Sequence, residues 1–146
     1  MTTGSATVSR NRWPRAFFFG LLAEVATIVT IIAIVMVYRY GIASGQRDAV
    51  YAAFGERVGR IVGIVGGTLY TFLFARLLMR RLSGRYVAHG VVVAIAAIAL
   101  SVGGSIAGHH DVPADYIFAS LLKLGAGVFA GSLASKRVAA AADSFG

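Results

Sequence analysis

Four long apolar stretches dominate the chain, at residues 16–38, 58–79, 87–108 and 116–134, and short polar segments rich in arginine, glycine and serine separate them. At about 1.5 Å of rise per residue, a helix over any of these stretches has the length needed to cross a hydrocarbon layer about 30 Å thick. The two-residue alternation of a membrane β-barrel is absent. In lipid, a single segment closes its backbone hydrogen bonds within itself only as a helix. The pattern therefore predicts an all-α fold: an integral membrane four-helix bundle with four transmembrane spans. Turn-forming residues fall at the breaks, with Gly41 and Gly45 after the first stretch, Ser83 and Gly84 after the second, and Gly108, Asp111 and Pro113 before the fourth. The division expected is a polar, basic amino-terminal tail at 1–15, a transmembrane domain at 16–135 and a short carboxy-terminal tail at 136–146. The first stretch is too long for the apolar core of a signal peptide and is read as a span. In DAVYAAFGERVGR, Asp48 is placed to cap a helix that runs on into the second span, with a bend expected near Gly55.

Composition agrees with this reading and reinterprets the charge. The chain is 58% hydrophobic and 14% charged, with a mean hydropathy of +0.76, more apolar than a soluble domain of this size can bury. A net charge of +8 in a soluble protein would point to nucleic acid. Here the basic residues flank the apolar runs, so lipid phosphates are the expected partners and nucleic acid is not. Their distribution also orients the chain. Arg10, Arg12, Arg15, Arg76, Arg80, Arg81, Arg85, Lys136 and Arg137 share one side, against Arg39, Arg47, Arg57 and Arg60 on the other. By the positive-inside rule both termini lie in the cytoplasm. Trp13 and Tyr86 on the inner side, and Tyr38, Tyr40 and Tyr116 on the outer, fall where interfacial aromatic belts form. The location expected is a plasma membrane, specifically the bacterial inner (cytoplasmic) membrane.

Candidate chemistry is sparse. With no cysteine, disulfides, thiolate metal sites and cysteine nucleophiles are excluded. His109, His110 and Asp111 are metal-ligating types, but adjacent loop residues point apart and no further ligand completes a sphere, so no metal is expected. GAGVFAG at 125–131 lacks the preceding strand and the lysine of a phosphate-binding loop, and no cofactor is expected. No triad spacing and no GxSxG occur, and the expected protein is not an enzyme. His89, just inside the third span, reads as a packed or interfacial residue.

Small residues carry more information. Gly55, Gly59, Gly63 and Gly67 recur every four positions as an extended GxxxG, or glycine zipper. On a regular helix they form one smooth stripe where another backbone approaches closely, within this bundle or in a homo-oligomer. The fourth span has Ala119, Lys123, Gly127, Gly131 and Ser135 at the same spacing; the first has Gly20, Ala23, Glu24, Thr27 and Thr30 on one side. Glu24 and Lys123 are the ionisable residues deep in the spans. Either one alone at a bilayer centre costs at least about 2.5 to 3.5 kcal/mol, so the two are expected to meet. Two roles stay open for them: a structural pair, or a proton or cation site.

Two resemblances add to this. GGTLYTFLFAR, HGVVVAIAAIALS and KLGAGVFAGSLASKR, in the second half, resemble small four-helix prokaryotic membrane proteins of unknown function, which implies a fold and a location but no activity. GLLAEVATIVT in the first span resembles the glutamate-bearing first helix of small multidrug-resistance transporters. That likeness implies a carboxylate, at Glu24, that binds protons and cations in turn. Lys123 and the strong charge asymmetry depart from that family's pattern. The function expected is that of a non-enzymatic bundle that assembles with itself or with another membrane protein, the alternative being a small proton- or cation-coupled transporter using Glu24.

Overall fold

A computed structural model describes residues 12–107 and 114–143, which are helical apart from short turns. The first long helix is α1 (Trp13–Val37), continued by a π-helical turn (Tyr38–Ile42). The second is α2 (Asp48–Ile61), a π-helical turn (Val62–Gly66) and α3 (Gly67–Met79) in unbroken succession; α4 (Tyr86–Ala107) and α5 (Ala114–Asp143) complete the order. All four are long and apolar enough to cross a membrane, which suggests a membrane protein.

The helices overrun the apolar stretches. The second spans 32 residues, about 48 Å at the α-helical rise, well beyond a hydrocarbon layer of about 30 Å. Its surplus is α2, with Asp48, Glu56, Arg57 and Arg60. Where a bend was expected near Gly55, α2 continues as unbroken α-helix. Contacts with the end of α1 explain why. Tyr38 stacks on Phe54 with ring centroids 3.8 Å apart. The Tyr51 hydroxyl donates to the Ala43 carbonyl at 2.7 Å and accepts from the Gln46 N–H at 3.0 Å. Arg39 lies 4.8 Å from the Tyr51 ring centroid and pairs with Asp48 at 3.3 Å. Asp48 is also not the cap. Arg47 holds that position without a side-chain bond, and Asp48 sits in the first turn, where its charge favours the positive end of the helix dipole.

At the opposite end, Pro14 occupies the first turn of α1, where its missing N–H is not needed, so the helix begins inside the tail expected at 1–15. α5 likewise runs to Asp143. Lys136 and Arg137 therefore lie in helix, because the alanine-rich run that follows them propagates it.

In the bundle, α4 packs against α5 and α1, and α3 against the same two helices. The order around the bundle is α1, α4, α5, α3, so α1 faces α5 across a diagonal. Small residues fill the inside. Ala16, Ala75, Val93 and Ala130 are buried with Leu78 and Met79, while Phe17, Phe18, Ile28, Ile32, Leu69, Ile117, Leu121 and Phe129 are exposed. Small inside and large outside is the distribution that suits packing in lipid, where the outer apolar surface costs nothing. The closest approach joins α4 and α5: a Cβ on Gly90 or Gly127 would collide with the carbonyl oxygen of the other. A Cβ on Gly131 would lie 2.5 Å from Val87 Cα, and one on Gly20 2.6 Å from Ala96 Cβ.

Candidate functional site: an ion pair across the bundle

On α1, Gly20, Ala23, Glu24 and Thr27 are buried as one face, the helical spacing of the small and polar residues having turned them inward together. Lys123 occupies the corresponding inner face of α5, one turn before Gly127. Glu24 is 5% and Lys123 2% exposed. The lysine Nζ donates to Glu24 Oε2 at 2.6 Å, a charge-assisted bond. The bond runs along the diagonal, joining two helices that do not pack directly on each other to any extent.

Gly67 makes room for it. A Cβ there would stand 2.8 Å from Lys123 Cε and 3.8 Å from Thr27 Oγ1, so the lysine stem lies over the first residue of α3. Two buried hydroxyls complete a polar layer. Thr27 donates to the Ala23 carbonyl at 3.0 Å and Thr71 to the Gly67 carbonyl at 2.7 Å. One turn further along α1, the Thr30 and Tyr70 hydroxyls bond at 2.9 Å.

The glycine stripe is divided at this point. Gly67 is packed, whereas no atom stands within 4 Å of a Cβ built at Gly59 or Gly63, and Gly55 would meet only Val35, at 3.7 Å. Gly59 and Gly63 are half-buried with open space where a Cβ would stand, whereas Gly67 is fully buried against Lys123. Of the sequence candidates, Glu24, Lys123, Gly67, Gly127 and Gly131 are buried inside the bundle, and Gly55, Gly59 and Gly63 are half-buried.

Other residues emerge only in three dimensions. Gly90 is the partner of Gly127, and its signal was the Gly90, Ala94, Ala97 spacing. Thr71 has no motif of its own. His89 is 6% exposed, stacked on Trp13 with centroids 4.5 Å apart; its Nδ1 donates to the Arg85 carbonyl at 2.9 Å. Nearby, Arg12 donates to the Arg81 carbonyl. These contacts pin the start of α1 against the turn between α3 and α4. Among the described residues no three His, Cys, Asp or Glu side chains stand together as metal ligands; His109, His110 and Asp111 lie outside the described residues.

Compared with models of known families, with curated proteins and with solved structures, the chain matches none. Its chemistry is read from the site alone. A carboxylate closed on an ammonium activates no nucleophile and leaves no net charge at the centre of the bundle. What the arrangement does is couple helices: with either partner gone, an uncompensated charge stays buried, at a cost of several kcal/mol.

Proposed function

We propose that this chain is a non-enzymatic protein of the cytoplasmic membrane, with both termini inside. In this reading it assembles with a second copy of itself, or with another membrane protein, along the second long helix at the open positions Gly59 and Gly63, and the Glu24–Lys123 pair fixes the packing within each copy. The observation that carries the proposal is the open face at Gly59 and Gly63. The chain satisfies its own close approaches elsewhere, at Gly20, Gly67, Gly90, Gly127 and Gly131. A smooth helix face in lipid gains dispersion contacts only when another backbone lies on it. The arginine bias supports the orientation.

The test is the molar mass of the full chain in neutral detergent, by light scattering, for the wild type and Gly63→Ile. The wild type is expected as a dimer or larger, or with a membrane protein bound. Gly63→Ile is expected as a lone monomer of unchanged helix content, with an unfolding temperature lowered only by the lost association. A wild type that is monomeric and partnerless contradicts the proposal.

A second reading, transport by Glu24, draws support from the buried carboxylate in a layer with Thr27 and Thr71. We place it second because the Lys123 ammonium, at 2.6 Å, already supplies the cation that a transported ion would have to displace.

A further inference from the structure

We propose that the cleft between α3 and α5, at the end of the bundle where Trp13 lies, binds the phosphate headgroup of an anionic phospholipid. The proposal rests on the membrane reading above. It starts from a cavity of about 270 Å³ lined by Arg76, Arg80 and Arg137 over an apolar floor that includes Met79 and Leu133. Arg76 and Arg80 are four residues apart and so share one face of the second long helix, Arg80 being the residue that ends α3. Arg137 comes from α5 on the other side.

Three like charges around one small cavity repel, and no side chain that the structure describes pairs with them. None of the three forms an ion pair or hydrogen bond there. Asp48, Glu56 and Asp115 are committed to arginines at the opposite end of the bundle, and Glu24 is closed on Lys123. An anion in the cleft relieves the repulsion. Guanidinium groups present paired N–H donors that match phosphate oxygens, so a phosphate ester fits the donors. The apolar floor selects among phosphates. Free phosphate gains nothing from Met79 and Leu133, whereas a phospholipid places its glycerol and upper chains over them and continues along the exposed Phe129 of α5. Basic pockets between membrane helices on the cytoplasmic side take acidic headgroups for this reason.

The experiment uses the purified full chain in neutral detergent, titrated with dioctanoyl phosphatidylglycerol, dioctanoyl phosphatidylcholine or sodium phosphate and followed by native mass spectrometry. The expected result is one saturable phosphatidylglycerol adduct, with little binding of the other two. Arg76→Gln/Arg80→Gln/Arg137→Gln should weaken it about tenfold or more. Arg81→Gln/Arg85→Gln/Lys136→Gln, which removes equal charge from the same end, should leave it within about twofold. Should the first variant fail to fold, Arg80→Gln/Arg137→Gln, at two exposed positions, takes its place. Equal losses in both triple variants would mean diffuse charge attraction and overturn the site. Binding of sodium phosphate as tight as that of the lipid would make it an anion site instead. The membrane reading fails separately, if the chain leaves cell membranes on washing with alkaline carbonate.

Discussion

Lys123 of α5 reaches Glu24 of α1 across the diagonal of the bundle, and its stem passes over Gly67, where a Cβ would stand 2.8 Å from Lys123 Cε. The relationship ties three helices to one bond: α1 supplies the carboxylate, α5 the ammonium and α3 the space.

Substitutions at Gly67 and Gly59 should therefore differ in sign. Gly67→Ala pushes on a lysine that its bond prevents from moving freely, and the expected loss is roughly 1 to 3 kcal/mol. Gly59→Ala adds a methyl group that meets nothing in its own chain, and in the monomer it should gain about 0.5 to 1 kcal/mol through helix propensity. Thermal unfolding in detergent compares the two directly; equal effects would place the two glycines in like surroundings.

The same contrast exists within α5. Gly127 lies against Gly90, whereas a Cβ at Gly125 would meet nothing within 4 Å. Gly127→Ala should cost about 1 to 3 kcal/mol by forcing α4 and α5 apart, and Gly125→Ala should be neutral or stabilising. Loss of folded yield with Gly125→Ala but not with Gly127→Ala would contradict the α4–α5 packing.

How much of this the sequence carries depends on the kind of signal. Apolar stretches long enough to span mark four helices, and intramembrane charges as costly as Glu24 and Lys123 demand a partner, so both were legible. Helix ends were legible in part. The helix leading from Asp48 into the second span was marked by its acidic start, but hydropathy reports only where lipid would end, while Lys136, Arg137 and the alanines after them are good helix formers that carry α5 past that limit. The glycine stripe was legible as a repeat, but which of its members meet a neighbour was not: Gly67 lies under Lys123 because of where α5 runs, and the spacing alone does not carry that. Gly90 was within reach, as its small neighbours at helical spacing are the same kind of signal that singled out Gly127.

Orientation is testable because the chain has no cysteine. Ser44→Cys should react with an impermeant maleimide on intact cells, and Ser83→Cys only after permeabilisation. Labelling of Ser83→Cys from outside would reverse the arrangement proposed above.

The most direct test of the structural role of the ion pair is a double-mutant cycle on Glu24→Gln and Lys123→Met, read as unfolding free energy in detergent. Each single change leaves its partner buried and uncompensated, so each should cost about 3 kcal/mol or more. The double variant removes both charges and should lose much less than the sum, leaving a coupling of roughly 2 kcal/mol. Losses that add to within about 0.5 kcal/mol would show that the two residues do not support each other and would contradict the account. So would a Glu24→Gln protein of unchanged stability that had lost proton-coupled transport in vesicles.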